Sequence, residues 1–102
     1  MRKTVSSPDV KKPARAALTG GVAVGDQVFL SGQMAYDPEV DGIPADMDAA
    51  AQTRVIMDNI GHLLAAEGLD HGDIVRVTIF LTDLGDLRAM NNNTALHHRA
   101  WL

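Results

Sequence analysis

The sequence predicts a small layered domain, α+β or α/β, with helices on one face of a short sheet. Three observations carry this reading. Two short β-type runs flank Gly25-Asp26, an apolar stripe at helical spacing runs from about Asp46 to Glu67, and an alternating run follows at 74–84. With a second helix after it, the expected order is β-β-α-β-α. At 102 residues the chain reads as one domain, 1–102, able to bury one core.

Residues 1–16 hold Pro8, Pro13 and five basic residues (Arg2, Lys3, Lys11, Lys12, Arg15), with little apolar pattern. They read as a flexible N-terminal arm. In "GGVAVGDQVFLSGQ", Gly25-Asp26 suits a two-residue hairpin turn, because glycine accepts positive φ without steric penalty. Val22 and Val24 share one face of the first strand. On the second, Val28 and Leu30 share a face, with Phe29 and Ser31 opposite. "AYDPEVDGIPAD" is a loop. Its Asp37, Glu39, Asp41, Gly42 and Asp48 fall at positions 1, 3, 5, 6 and 12 of a calcium-loop template. The template fails: an aspartate stands where glutamate is needed, two prolines interrupt the loop, and a strand leads into it. A solvated acidic turn is expected instead.

The long helix places Ala49, Ala50, Thr53, Ile56, Met57, Ile60, Leu63 and Leu64 on one stripe. Asp48, Arg54, Asp58, Asn59 and His62 take the other side. Acids are expected at its first turn, and Gly68 is its stop. In "IVRVTIFLTDL", Val75, Val77, Ile79 and Leu81 alternate with Arg76, Thr78 and Phe80. That second face mixes polar and apolar groups, as on a sheet side that meets a partner. The second helix begins near Asp83 and points Leu84, Leu87 and Met90 inward. Asn91-Asn92-Asn93 weakens it, since asparagine competes for backbone bonds.

Composition excludes several function classes. There is no cysteine, so disulfides, thiol catalysis and cysteine-based zinc sites are ruled out for this chain, and a reducing, cytoplasmic setting is expected. The apolar runs are too short to span a bilayer, so no membrane role is expected. A net charge of −4, with basic residues scattered beyond residue 15, argues against nucleic acid. His62, His71, His97 and His98 form no metal-ligand spacing and read as surface residues. Two features carry more. Ser31-Gly32-Gln33 ends a strand on a glycine, which permits close backbone approach by a ligand or a second chain. Asn91 sits on a helix with an amide that both donates and accepts. Each also has a plain structural reading, and the residues alone stop at a small α+β domain.

The ordered set "VFLSGQMAYDPE" and "IPADMDAAAQTRVIMDNIGHLLAAEGLDHGDIVRVTIFLTDLGDLRAMNN" resembles the YjgF/RidA family, the reactive-intermediate deaminases. The resemblance runs from about Gly21 to Asn91. It includes Ser31-Gly32-Gln33, Gln52-Thr53-Arg54 with Asp58-Asn59-Ile60, Gly72-Asp73-Ile74-Val75, and Asp83-Leu84 ahead of the second helix.

The resemblance implies an α+β, chorismate-mutase-like fold, two helices on one face of a sheet, assembled as a homotrimer with ligand sites between subunits. It implies hydrolysis of 2-imino acids such as 2-iminobutanoate and 2-iminopropanoate to 2-oxo acids and ammonia, with no metal or organic cofactor. Ser31 and Gly32 match the family's backbone contribution to the substrate pocket, and Asn91 its helix asparagine. Three matches fail. Leu18 stands where the family has a pocket tyrosine. The clamp arginine of a Pro-Ala-Arg segment and the glutamate of the last strand have no counterpart. Arg99 falls inside the helix region, upstream of where that segment would begin.

The C-terminal part of the family domain is therefore expected to be missing after about residue 95. That would leave a sheet edge covered by another chain, or mark the sequence as part of a longer or shifted one. Two readings follow: an imine deaminase retaining part of its site, and a catalytically impaired trimer that binds small ligands or scaffolds. A third, a ribonuclease, is opposed by the net charge, the lack of a basic stripe and the lack of an acid-base histidine pair.

Overall fold

Gly25 turns the chain between two strands, β2 (Gly21–Val24) and β3 (Gln27–Leu30), with φ at 61°. The pairing Val24↔Gln27 leaves a two-residue loop, and its first residue alone carries positive φ, as a type II′ turn requires. The expected hairpin therefore forms. This computed structural model describes residues 2–12 and 20–97. Leu18, His98, Arg99 and Trp101 lie outside the described residues.

The sheet has three antiparallel strands in the order β1-β2-β3. Its first strand, β1 (Arg2–Val5), pairs with β2 from Arg2↔Val24 to Val5↔Gly21. Over residues 2–5 this differs from the expected flexible arm; residues 1 and 13–16 of that arm lie outside the described residues. Val5 is fully buried and Lys3 reaches Glu67 at 2.9 Å, so one apolar anchor and one ion pair dock a segment whose composition suggested none. Residues directly opposite in an antiparallel pair share a face. The registers thus put Val5, Gly21, Ala23, Val28 and Leu30 on one side, and Val22, Val24 and Phe29 on the other. Phe29 is 59% exposed and Val24 42%, so the second side meets solvent in this chain.

The first helix, α1 (Ala49–Ala65), is capped at both ends. Asp48 Oδ1 accepts from the Ala51 N–H at 2.8 Å, satisfying one orphan donor. At the other end Gly68, φ 73°, lets Leu69 N–H reach Leu64 O and Gly68 N–H reach Ala65 O, at 2.9 and 3.0 Å. That pair of bonds is a Schellman stop. The acids expected in the first turn sit instead at the cap, Asp48, and before it, Asp46. Thr53, Met57, Leu63 and Leu64 are buried, while Arg54, Asp58 and His62 are exposed, as the periodicity requires. Leu63 packs over Gly20, at the entry to β2.

A 3₁₀ turn, His71–Asp73, closes α1 onto the next segment through a reciprocal cap between Asp70 and Asp73. His71 departs from the surface reading. Its Nε2 lies 2.8 Å from Met57 O, and its ring covers Gly61 so closely that a Cβ there would meet Cε1 at 2.8 Å.

The expected strand over 74–84 does not join the sheet. The segment is extended at Ile74 but makes no ladder, with Val75 98% and Phe80 92% exposed. Alternation marks a chain able to pair; it does not supply the partner.

The second helix, α2 (Leu87–His97), follows a 3₁₀ turn over Leu84–Asp86 that Asp83 caps through Gly85 N–H. Met90 is buried as expected, but Leu84 and Leu87 are largely exposed. The 3₁₀ turn breaks the α-helical phase, and the inward face is Met90, Asn93 and Thr94. The asparagine run does not end the helix. Asn93 Nδ2 and Thr94 Oγ1 donate back to Ala89 O and Met90 O, at 2.8 and 3.0 Å, so their polar groups serve the helix. Among the described residues, three strands and two α-helices thus make an α+β fold, with one more N-terminal strand and one fewer central strand than expected.

Candidate functional site

Ser31 leaves the sheet at the end of β3, and its N–H donates to Gly20 O at 2.9 Å. This bond extends the β2–β3 pairing by one residue beyond Gly21↔Leu30. Gln33 Nε2 donates to Ser31 O at 3.2 Å. Further on, Asn59 of α1 donates to Met34 O at 3.4 Å, and Ala35 is buried. Residues 31–35 are therefore held at both ends. Between those holds lies Gly32, exposed, with open space where a Cβ would stand. A fixed, unobstructed stretch of backbone can meet a ligand without first being ordered.

Asn91 is exposed on α2. It lies two residues from the buried Asn93, about 200° around the helix, and so faces away from α1. Arg54 of α1 fixes that rotation: its Nη1 donates to Asn93 Oδ1 at 3.0 Å. The sequence places Arg54 on the polar helix face and within the Gln52-Thr53-Arg54 match, and it names no partner for it. A pair 39 residues apart in sequence leaves no periodic signal.

Among the described residues, two cavities lie beyond Ser31, Gly32 and Asn91, the first of them walled in part by Ala35 and Asn59. One, of about 280 Å³, lies between the N-terminal segment and α1; Asp9, Lys11, Tyr36, Asp37, Asp58 and Asn59 supply its polar lining. The polar, proline-containing composition of residues 1–16 gives no sign of this wall. The other, of about 170 Å³, lies between both helices and residues 79–82, with Gln52, Thr53, Ile56, Phe80 and Met90 among its walls. Neither is lined by Ser31, Gly32 or Asn91.

In the loop, two of the acids that matched a calcium template, Asp37 and Asp41, are otherwise engaged. Asp37 Oδ1 accepts from Glu39 N–H, and Asp41 Oδ1 from the Tyr36 hydroxyl, both at 2.9 Å. Among the described residues, no three His, Asp or Glu side chains are grouped to hold a metal. No described helix is long and apolar enough to cross a membrane.

Comparison with known proteins gives a consistent relationship. The Endoribonuclease L-PSP family matches residues 9–100. The 2-iminobutanoate/2-iminopropanoate deaminase of Escherichia coli K12 is 36% identical over 91 residues, which is 89% of this chain and 69% of that protein. Among solved structures, the yjgF gene product of E. coli superposes with a TM-score of 0.78 at 32% identity, over 95% of this chain and 76% of that one. E. coli TdcF with bound serine gives 0.78 at 33% identity, covering 92% and 72%. The sequence resemblance and the fold thus lead to one assignment: the chain belongs to the Endoribonuclease L-PSP family, that of the YjgF/RidA proteins.

Proposed function

We propose that this chain serves hydrolytic deamination of reactive 2-imino acids, 2-iminobutanoate and 2-iminopropanoate, to 2-oxo acids and ammonia. It would act as a cytoplasmic homotrimeric hydrolase. Water adds to the imine carbon, the C–N bond of the resulting carbinolamine breaks, and nitrogen leaves as ammonia. Such chemistry needs a held carboxylate, a held imine and a positioned water.

In this reading Ser31 and Gly32 offer main-chain groups to the substrate, and Asn91 offers an amide that can both donate and accept. The open flank of Gly32, fixed between Ser31 and Met34, is the observation that carries the proposal. The likeness to the E. coli deaminase supplies the reaction class. The unladdered 74–82 segment, with Arg76, Thr78 and Phe80 exposed, is the face proposed to meet neighbouring subunits.

Of the three family matches that fail, the carboxylate clamp bears most directly on substrate binding. No arginine matches the family's carboxylate clamp, and Arg54 is committed to Asn93. Losing a bidentate charge-assisted partner costs on the order of 2–3 kcal/mol of substrate binding. These 102 residues should therefore release ammonia from dehydratase-generated 2-iminobutanoate at close to the spontaneous rate. Release well above that rate would refute the clamp argument. The same gap favours a second reading, a catalytically impaired trimer that binds small ligands or scaffolds. Sizing chromatography tests what the two share, since a clean monomer contradicts any site between subunits.

A further inference from the structure

The loop between β3 and α1 holds the chain's one Asp-Gly sequence, Asp41-Gly42. Asp41 is also the one non-glycine residue with positive φ among those described, at 48°. We propose that Asp41-Gly42 is the site at which this chain forms isoaspartate, and that the Tyr36 hydroxyl restrains the reaction.

The chemistry needs no co-reactant beyond water. The Gly42 main-chain nitrogen attacks Asp41 Cγ in its carboxylic acid form. The N–Cγ bond forms and a Cγ–OH bond breaks. The departing hydroxyl and the amide proton leave as water, giving a succinimide. Water then adds at the former main-chain carbonyl of Asp41, breaking its bond to Gly42 N. A free α-carboxyl results, and the main chain now runs through Cβ and Cγ. Nothing is oxidised or reduced, and the mass is unchanged.

Three features put this reaction at Asp41. Gly42 presents no Cβ, and only Val40 O, at 3.8 Å, lies near where one would stand. Asp41 is exposed, so water reaches both steps. A left-handed backbone sets Cβ against the following carbonyl in an L residue, and rerouting the chain through Cβ removes that conflict. Two holds oppose the reaction. The Tyr36 hydroxyl donates to Asp41 Oδ1 at 2.9 Å and fixes the carboxylate. Gly42 N–H donates to Asp37 O at a longer 3.3 Å, within the Asp37↔Gly42 bridge. Asp37 N–H also donates to Gly42 O at 2.8 Å, but both bonds of the bridge hold main chain. The Tyr36 bond holds the carboxylate that must turn toward Gly42 N, so Tyr36 is the side chain whose removal should matter.

The product is an α-carboxyl on an exposed turn, the group that protein isoaspartyl methyltransferases esterify. The reaction is independent of imine hydrolysis and stands or falls without it.

The test is to age the full chain in warm neutral buffer and map it with Asp-N protease, which cleaves before aspartate but not isoaspartate. Enzymatic methyl transfer to the aged protein gives a second readout. Isoaspartate should appear at 41 ahead of every other aspartate. Tyr36→Phe should speed it about fivefold, the rate equivalent of one hydrogen bond. Gly42→Ala, which meets no obstacle in the fold, should suppress it. Asp48→Ala, which loosens α1 and leaves the loop's bonds in place, should age at the native rate. Isoaspartate arising first elsewhere, an unchanged rate in Tyr36→Phe, or equal acceleration in Asp48→Ala would overturn the proposal.

Discussion

Gly21→Ala and Gly32→Ala add the same methyl group to residues eleven positions apart, and the structure assigns them opposite outcomes. At Gly21 an added Cβ meets Leu30 Cα at 2.9 Å and stands closer still to Phe29 O. Both obstacles are main chain, so no side-chain rotation can relieve the clash. β2 must part from β3 where Gly21↔Leu30 precedes the Ser31 N–H bond to Gly20 O. Forced overpacking of this kind costs about 2 kcal/mol. For a domain near this size that lowers Tm by about 10 °C. At Gly32 nothing lies within 4 Å of the added Cβ. The change there should stay within about 1 kcal/mol and can stabilise by narrowing the unfolded ensemble. Thermal and urea unfolding followed by far-ultraviolet circular dichroism measures both. A Gly21→Ala protein as stable as its parent, or a Gly32→Ala protein that loses more than Gly21→Ala, would refute the reasoning.

Three further outcomes are expected. Asp48→Ala removes the acceptor for Ala51 N–H and should cost about 1 kcal/mol in urea unfolding, with the slope unchanged. Leu63→Ala empties a 1%-exposed site and should cost roughly 3 kcal/mol, enough to leave a chain of this size largely unfolded on warming. A double-mutant cycle on Arg54→Met and Asn93→Ala should return a coupling of about 1 kcal/mol. Additive losses would mean that this bond does not tie α2 to α1.

Local physics made much of this fold readable from sequence. Gly25-Asp26 announced the hairpin, because a tight turn between right-twisted strands needs a residue that accepts positive φ. The α1 stripe and Gly68 stop were legible for the same reason: helical period and C-terminal bonding are set within a few residues. What depended on distant partners was not. The 1–16 stretch looks polar and proline-broken, yet Val5 meets Leu63 around Gly20 and Lys3 reaches Glu67, each across more than fifty residues. Residues 74–84 alternate as a strand should, but alternation cannot say whether another strand stands beside them. At the proposed site, Gly32 could be singled out as a strand-ending glycine. Its freedom on one side and its anchorage through Gly20 and Asn59 on the other needed the three-dimensional arrangement. Leu84 and Leu87 faced the wrong way because a 3₁₀ turn shifts helical phase, which apolar spacing alone does not reveal.

An NMR titration of the isotope-labelled chain with 2-oxobutanoate, the stable product, decides whether Ser31, Gly32 and Asn91 hold the imino acid. Weak, saturable shifts are expected at the Ser31 and Gly32 amides together with the Asn91 side-chain amide, with both main-chain shifts lost in Asn91→Ala. Shifts confined to Lys11, Tyr36 and Asn59 around the 280 Å³ cavity, with residues 31, 32 and 91 unmoved, would contradict it.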